Sequence, residues 1–355
     1  MYMNSAVIIP ALNPGEELLD YIRALTARGV KKVILVDDGS APEYQSVFAA
    51  AREIPECDVL VHEVNRGKGR ALKDAFSRYR KAGYDRSFNG VITADADGQH
   101  TAEDVEKVSR AMDEASHDGG RVLVLGEREF GNDVPFRSKF GNSITAVLFR
   151  ALYHIKLRDT QTGLRGLPNE VIDEFTELDG ERYEYEMNML IRCSEKKIPI
   201  KSVTIETIYL EGNKSSHFNP LVDSFKIYRL LLGTFFRYTL SSLSSFLIDI
   251  GMFQLLVMLL KPVTGNYIFA STVGARVISA VYNYTVNRKL VFKSKSTVAS
   301  SGVRYFVLCV VQMILSALLV SFFYGIIKIP ESLVKIVVDT VLFLISYRIQ
   351  KRFVF

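Results

Sequence analysis

The chain has 355 residues, of which 48% are hydrophobic and 23% are charged, and its formal net charge at pH 7 is +5. This length allows one large domain and a smaller one, and the small positive excess gives no reason to expect a nucleic-acid partner. The three cysteines lie far apart and match neither a metal site nor a disulfide framework. Charged and apolar residues mix up to about Asp223, whereas long apolar stretches dominate from Leu230 onward.

The first part of the chain alternates strand-like apolar runs with helical patterns. The strand-like runs are residues 6–10, 32–37, 58–62, 90–94 and 121–125, and the helical patterns lie near residues 16–28, 43–53, 69–81 and 102–115. This alternation predicts a mainly parallel sheet with helices on both faces. Ligands are then expected at the carboxyl ends of the strands.

Polar motifs follow four of these strands, at residues 10–16, 37–40, 65–70 and 94–100. In the last motif Asp95 and Asp97 are one residue apart, and Gly98 lets the backbone turn. Two such carboxylates can bind a hard divalent cation from one side and leave its other side to phosphate oxygens. Taken alone, each motif is equally consistent with an ordinary solvated turn, a helix cap or a basic loop that binds no ligand. The absence of Gly-x-Gly-x-x-Gly after the first strand counts against a nicotinamide site.

As a set, the motifs resemble glycosyltransferase family 2, whose catalytic domain has a GT-A fold. The resemblance rests on residues 7–13, 36–40, 65–69 and 95–100. The last motif, with residues 126–128, 159–165 and 215–218, is similar to the branch of polyprenyl-phosphate glycosyltransferases related to dolichyl-phosphate mannose synthase. Glu127 stands where that branch usually has serine before the arginine, so the hydrogen bonds of the acceptor site are expected to differ.

The resemblance implies an α/β GT-A domain over residues 1–219, Rossmann-like with a mostly parallel sheet. It also implies metal-dependent, inverting transfer of a hexose from a sugar nucleotide of the GDP-mannose or UDP-glucose type to polyprenyl (dolichyl or undecaprenyl) phosphate. Mg²⁺ or Mn²⁺ would be held by Asp95, Asp97 and Gln99. The residues implied to bind the nucleotide are Pro10, Leu12, Asn13, Glu16, Asp37, Asp38, Lys68, Asp95 and Ala96.

The acceptor phosphate is assigned to Arg128, Arg137 and Ser138 by the same resemblance. Arginine suits this role because its charge is permanent and its planar fork matches phosphate oxygens. Arg128 and Arg137 form the expected catalytic set together with Asp95 and Asp97. The alternative is that both arginines are ordinary solvent-exposed surface residues. Asp159, Gln161 and Arg165 are expected on the sugar or acceptor side. The roles of Glu184, Glu186 and His217 stay open.

The second part of the chain reads as a membrane domain. Four segments, residues 235–260, 267–286, 303–327 and 333–347, are apolar enough to predict spanning helices. Residues 284–292 align with 347–355, which indicates two repeated hairpins. This pattern resembles the GtrA-like membrane domain and predicts an all-α transmembrane domain of four helices over residues 235–355. Residues 220–234 are predicted to form an interfacial juxtamembrane helix.

Charges give the expected orientation. Basic residues concentrate between the second and third segments and after the fourth, so the positive-inside rule predicts a multi-pass protein of the cell membrane with the catalytic domain and both termini in the cytoplasm. A homo-oligomer is compatible with this arrangement. Asp249, Arg276 and Asp339 lie inside apolar segments. Buried charges there usually pair, so we expect an ion pair between Asp249 and Arg276, with Asp339 as a third member.

Two other functions compete with the transferase. A membrane polysaccharide synthase would typically carry a Gln-x-x-Arg-Trp motif, and this chain has no tryptophan. The apolar half alone also suits a flippase or scaffold for lipid-linked sugars. The four strand-end motifs count against a protein that only transports.

Overall fold

The computed structural model describes residues 3–117, 120–128, 136–153, 155–206, 222–294, 296–327 and 331–355. The chain divides into two compact units, Met1–Arg229 and Leu230–Phe355. The first unit is built on a sheet and the second on helices, and each is described by itself.

The described residues of the first unit form one mixed sheet of seven strands. The strands are β1 Ser5–Ala11, β2 Val33–Asp38, β3 Cys57–His62, β4 Gly90–Thr93, β5 Leu123–Arg128, β6 Arg165–Pro168 and β7 Ile200–Ile205. Their order in the sheet is β3-β2-β1-β4-β6-β5-β7. Only β6 runs antiparallel to its neighbours β4 and β5, and the other pairs are parallel. The predicted mostly parallel, Rossmann-like α/β architecture is therefore confirmed.

Seven helices in the described part of this unit accompany the sheet. They are α1 Glu17–Ala27, α2 Gln45–Arg52, α3 Lys68–Lys81, α4 Ala102–His117, α5 Phe136–Tyr153, α6 Asn169–Thr176 and α7 Glu184–Lys196. Helix α1 illustrates why they form, since its buried residues Leu18, Ile22 and Leu25 recur at the spacing of one helical face. That face packs against β1 and β2, whose residues Val7, Ile9, Val33 and Leu35 belong to the same buried cluster.

The direction of β6 determines which loops meet at the site. Parallel strands β4 and β5 end at the same edge of the sheet, and β6 lies between them in the opposite direction. The segment that leads into β6, residues 159–164, therefore reaches the edge at which β4 and β5 end. One loop of this kind can contact groups from both strand ends.

The second unit contains four helices in its described residues, α8 Val222–Leu260, α9 Tyr267–Val286, α10 Val298–Ile327 and α11 Glu331–Ile349. Helix α8 starts before this unit and includes most of the predicted juxtamembrane segment, because no proline interrupts it. Leu231–Leu260 and Val298–Phe323 are long and apolar enough to cross a membrane. Among the described helices, α9 and α11 are not long and apolar enough to meet the same criterion. The prediction of four membrane-spanning helices therefore stays a prediction.

A chain of polar side chains runs through the second unit. Asn287 donates to Gln350 at 3.0 Å, which joins the segments that follow α9 and α11. The Tyr305 hydroxyl donates to Asn283, and the Ser346 hydroxyl donates to Gln312. A cavity of about 360 Å³ is lined by all of these groups except Asn287. Each of the two related hairpins thus contributes hydrogen-bonding groups to one buried network.

The expected charge pair in this unit is present. Arg276 Nη2 lies 3.4 Å from Asp249 Oδ2, which confirms the predicted ion pair. Asp339 is not its third member, because it binds Lys335 at 2.8 Å and accepts a hydrogen bond from Ser316 at 2.5 Å. The Arg276 side chain is 75% exposed on the isolated chain, so it lies at the surface of the unit and not in its interior.

Candidate functional site

The ends of β1 and β2 are tied together by two reciprocal hydrogen bonds. The Asn13 N–H donates to Ser40 Oγ, and the Ala41 N–H donates to Asn13 Oδ1, both at 2.9 Å. Asn13 adopts a positive φ of 50°, a conformation that asparagine tolerates better than most residues. Two predicted nucleotide motifs therefore form one connected loop structure.

Asp37 and Asp38 are buried and fully engaged within the protein. Asp37 accepts hydrogen bonds from the Ser40 N–H at 2.8 Å and from Gln45 Nε2 at 2.9 Å. Asp38 accepts from the N–H groups of Arg66 and Gly67 and contacts His62 Nδ1 at 2.8 Å. Asp38 thus fixes the backbone of the loop that carries Lys68.

The other predicted nucleotide residues lie around these loops. Pro10, Leu12 and Ala96 are half-buried, and Glu16 is exposed just before α1. Their roles in nucleotide binding stay predictions.

Lys68 occupies the centre of the site. Its Nζ lies 2.6 Å from Asp95 Oδ1 and 2.8 Å from Glu186 Oε1, and 5.9 Å from the centre of the Tyr183 ring. Burial opposes the charged form, but the two carboxylates outweigh it and raise the pKa of Lys68. Lys68 is therefore a permanent cation at the end of β4.

The two aspartates of the 95–97 motif have opposite electrostatic situations. Burial alone would raise the pKa of Asp95, but Lys68 and His100, whose Nε2 is 3.4 Å away, hold that pKa well below its ordinary range. Burial first, and then the negative charge of Asp95, raise the pKa of Asp97. The motif thus carries more negative charge than its neighbours neutralise.

This donor set fits a divalent cation. Asp95 and Asp97 supply carboxylate oxygens, and half-buried Gln99 follows them, with its own N–H donating to Asp97 Oδ1 at 3.1 Å. The ammonium of Lys68 already contacts Asp95 Oδ1, where a divalent cation would also bind. Among the described residues no third acidic, histidine or cysteine side chain completes a metal cluster. A cation here would take further ligands from a diphosphate or from water.

Glycine at position 163 permits the close approach of the loop before β6 to Asp95. A Cβ at Gly163 would lie 2.4 Å from Asp95 Oδ2, which is closer than real contacts allow. The Thr93 hydroxyl donates to the Gly163 carbonyl at 2.7 Å and holds the loop against the end of β4.

The same loop also contacts the end of β5. Arg128 Nε and Nη2 donate to the two oxygens of Asp159 at 2.5 and 3.1 Å, and the Asp159 side chain is fully buried. The Gln161 N–H donates to Asp159 Oδ1 at 3.0 Å. Glu127 accepts a hydrogen bond from the Arg158 N–H at 2.9 Å, which is the local role of this departure from the family pattern.

Arg165, which the sequence assigns to the sugar or acceptor side, makes its hydrogen bonds inside the protein, and that assignment stays a prediction. Its side chain is almost completely buried, and it donates to the Thr162 carbonyl at 3.0 Å and to the Glu186 carbonyl at 2.6 Å. It therefore supports the site by joining the loop before β6 to α7. Arg165 is the first residue of β6, and its side chain is buried there in the interior of the sheet unit.

No role was assigned to Glu186 from the sequence, and in the structure its carboxylate lies at the centre of the site, next to Lys68. It is buried and paired with Lys68, although the repeated Tyr-Glu of residues 183–186 gave no sign of this. Glu184 instead accepts hydrogen bonds from the N–H groups of Glu181 and Arg182 at the start of α7. The side chains of Arg137 and Ser138, and the whole of His217, lie outside the described residues.

Two family models match the two units of the chain. Residues 6–171 match the model of the family described as Glycosyl transferase family 2. Residues 231–355 match the model described as GtrA/DPMS, transmembrane domain.

Three similar proteins carry related names. The UDP-N-acetylglucosamine–dolichyl-phosphate N-acetylglucosaminyltransferase of Methanococcus voltae is 29% identical over 245 residues, covering 64% of this chain and 94% of that protein. The dolichyl-phosphate beta-glucosyltransferase of Drosophila melanogaster is 26% identical, with 60% and 69% covered. The polyprenol monophosphomannose synthase of Mycolicibacterium smegmatis is 26% identical, with 56% and 75% covered. The chain is therefore a glycosyltransferase that belongs to family 2 through its sheet unit and carries a GtrA/DPMS transmembrane domain after it.

Proposed function

We propose that the protein transfers a hexosyl group from a nucleoside-diphosphate sugar to a polyprenyl phosphate. The three named relatives support the acceptor, because each name combines a sugar with dolichyl phosphate or polyprenol. Their names differ in the sugar and therefore do not identify the donor of this chain, for which we propose a UDP- or GDP-linked hexose. Selection between epimers depends on the shape of the sugar pocket.

The loop of residues 159–164 is the observation that carries the proposal. Through Gly163 it packs on Asp95, and through Asp159 it holds Arg128. The proposed diphosphate side and the proposed acceptor side therefore belong to one structural piece. An enzyme that joins two anionic substrates needs such a fixed spacing between their binding groups.

The chemistry needs positioning more than proton transfer. A phosphate monoester has a second pKa of about 6, so near neutral pH its oxygen attacks without a general base. The oxygen forms a bond to the anomeric carbon from the side opposite the diphosphate, and the bond from that carbon to the diphosphate breaks with inversion. The nucleoside diphosphate leaves with the electron pair.

Different residues of this chain are proposed to neutralise the negative charges of the two substrates. Arg128 offers a planar fork to the acceptor phosphate, and Lys68 offers an ammonium to the leaving diphosphate. Asp95, Asp97 and Gln99 would hold Mg²⁺ or Mn²⁺, which when bound neutralises charge that develops on the diphosphate. Arg137 and Ser138 are proposed as further acceptor ligands on the strength of the motif.

The proposal is tested with membranes that contain the protein, labelled UDP-glucose or GDP-mannose, and polyprenyl phosphate. We expect label in an organic-soluble, acid-labile lipid, and screening further donors identifies the sugar. Label that enters a long water-soluble polymer would instead support a polysaccharide synthase. The absence of transfer with every UDP- and GDP-hexose would contradict the proposal.

A second function, handling of the lipid-linked product by the membrane unit, is favoured by a cavity that has both polar and apolar lining groups. The cavity is lined by hydroxyl, amide and carboxylate groups, which include Ser242, Gln312 and Asp339. Polar groups in a membrane domain are costly unless they serve packing or a ligand. The test is Gln312→Leu in proteoliposomes. We expect normal synthesis of the lipid product and slower appearance of that product in the opposite leaflet, whereas equal rates would exclude this function.

A further inference from the structure

Lys68 bridges two carboxylates that come from different parts of the fold. Asp95 follows β4, and Glu186 lies in the first turn of α7. The Lys68 and Glu186 side chains are 17% and 7% exposed, so the pair is largely shielded from water. A shielded ion pair is weakened little by salt, so Glu186 holds the ammonium in place next to Asp95.

The position of this ammonium conflicts with cation binding. Asp95 Oδ1 is 2.6 Å from Lys68 Nζ, while Asp95 Oδ2 faces His100 and the Gly163 backbone. A divalent cation that approaches Asp95 must therefore displace the ammonium or share a crowded oxygen. Such a cation would also give up part of its own hydration.

Glu186 provides a second attachment for the displaced side chain. Its backbone carbonyl is held by Arg165 at 2.6 Å, so α7 cannot easily move away. The backbone of the Lys68 loop is equally fixed, because Asp38 binds the Gly67 N–H at 2.8 Å and Gly69 packs against Tyr185. The backbone is therefore fixed on both sides, and any change must come from side chains such as the flexible four-carbon stem of Lys68.

We infer that Lys68 is a displaceable placeholder for the divalent cation, and that Glu186 is the positioning residue that retains Lys68 when Asp95 is released. The inference rests on the proposed function. In the protein without substrate, the ammonium neutralises Asp95. When a sugar nucleotide and its cation bind, Asp95 turns to the cation, and Lys68 stays with Glu186 and contacts the diphosphate.

The arrangement makes cation binding depend on the nucleotide. Without a diphosphate, release of Asp95 leaves Lys68 with only Glu186 as a partner. With a diphosphate, the ammonium exchanges one anionic partner for another, so its release costs little. The protein therefore binds the cation weakly alone and tightly together with the nucleotide.

The test measures Mn²⁺ binding to the detergent-solubilised full-length protein by electron paramagnetic resonance, alone and with saturating UDP or GDP, after correction for Mn²⁺ held by free nucleotide. In Lys68→Met without nucleotide we expect about tenfold tighter Mn²⁺ binding, because the competing cation is gone. The gain in Mn²⁺ affinity that the nucleotide produces should shrink in the same variant. Unchanged or weaker Mn²⁺ binding by Lys68→Met without nucleotide would overturn the inference.

Two further variants separate the placeholder from a general charge effect. Lys73 lies on the same helix and is also buried, but it pairs with Glu181 at 2.9 Å, so Lys73→Met should leave Mn²⁺ affinity unchanged. Glu186→Gln leaves Lys68 with Asp95 alone, and Mn²⁺ binding without nucleotide should become weaker. An equal gain in Lys73→Met and Lys68→Met would refute the specific role of Lys68.

These measurements also separate the inference from the proposed function. If the wild-type protein binds no Mn²⁺ even with UDP or GDP, the proposed metal site fails. If it binds Mn²⁺ only with nucleotide while Lys68→Met behaves like wild type, the metal site stands and the placeholder fails. Sugar transfer to lipid is scored in a separate assay and enters neither comparison.

Discussion

Individual side chains in the site are held by partners that the proposed reaction would change. Asp95 is paired with Lys68, and Arg128 is paired with Asp159. Two of the candidate binding groups are therefore paired with charged side chains of the protein itself. Substrates with phosphate oxygens compete for those same groups, which links binding to rearrangement of a few side chains on a fixed backbone.

Asp97 offers the most direct test of the cation site. Asp97→Asn keeps the shape of the side chain and removes a negative charge, so we expect transfer to fall by about 100-fold or more while the thermal unfolding profile changes little. Asp20→Asn, at an exposed position on α1, is the control and should transfer at the wild-type rate. Near-normal turnover of Asp97→Asn at saturating Mg²⁺ or Mn²⁺ would remove Asp97 from the site.

Arg128 tests the acceptor side, and its buried partner complicates the obvious variant. Arg128→Ala strands the Asp159 carboxylate in the interior, which is destabilising in itself. The double variant Arg128→Met with Asp159→Asn removes both charges and should fold better than the single variant. We expect it to have a raised KM for polyprenyl phosphate and an unchanged Kd for the nucleotide, as should Arg137→Ala. Effects confined to nucleotide binding would contradict the acceptor assignment.

Gly163 tests whether the loop before β6 must lie against Asp95. Because a Cβ would stand 2.4 Å from Asp95 Oδ2, Gly163→Ala should displace the carboxylate and weaken Mn²⁺ binding in the presence of nucleotide. Gly233, which has open space around it, provides the matched control, and Gly233→Ala should bind Mn²⁺ like wild type. Equal Mn²⁺ affinities in all three proteins would show that the contact does not matter for the cation.

At the scale of elements, the sequence predicts the local patterns well and the long-range ones poorly. Strands β1 to β5 and helices α1 to α4 coincide with predicted segments to within a few residues, because each has a clear apolar period. Strand β6 was not predicted, since it has four residues, begins with an arginine and ends with a proline. Its place between β4 and β5 depends on tertiary packing, and so does the pairing of Lys68 with Glu186.

The ion pair between Asp249 of α8 and Arg276 of α9 is a contact between two helices that was predicted from the sequence. Its contribution is tested by comparing Asp249→Asn, Arg276→Gln and the double variant by thermal unfolding in detergent. Because the two residues are in contact, we expect their effects to be non-additive by about 1 kcal/mol. Asp249→Asn combined with Lys261→Gln, at an exposed position beyond α8, should be additive. Additivity in both combinations would show that the contact contributes nothing.

For the whole molecule, the division into two units suggests a division of labour. The sheet unit contains the candidate site with its own core, and the helical unit carries the apolar surface. A fragment of residues 1–219 should therefore bind the sugar nucleotide with wild-type affinity and lose most turnover on long-chain polyprenyl phosphate in vesicles. A short-chain, water-soluble acceptor is the control and should be used by both proteins. Full turnover of the fragment on the membrane-embedded acceptor would contradict this role of the helical unit.

Orientation in the membrane is the last property that charge and structure together predict. Short segments rich in basic residues follow α9 and α11, and they are joined by the bond between Asn287 and Gln350 and by that between Ser294 and Phe355. The two basic ends therefore lie on the same side of the helical unit, and the positive-inside rule predicts that this side faces the cytoplasm.

The orientation can be measured by labelling single cysteines in intact cells, after the three native cysteines are replaced by serine. Val263→Cys lies in the exposed turn between α8 and α9, and Thr297→Cys lies in the exposed turn before α10. We expect a membrane-impermeant maleimide to label the first cysteine from outside and the second only after permeabilisation, because the two turns are at opposite ends of α9. Labelling of Thr297→Cys from outside would reverse the orientation and put the proposed transfer on the other leaflet, away from cytoplasmic sugar nucleotides.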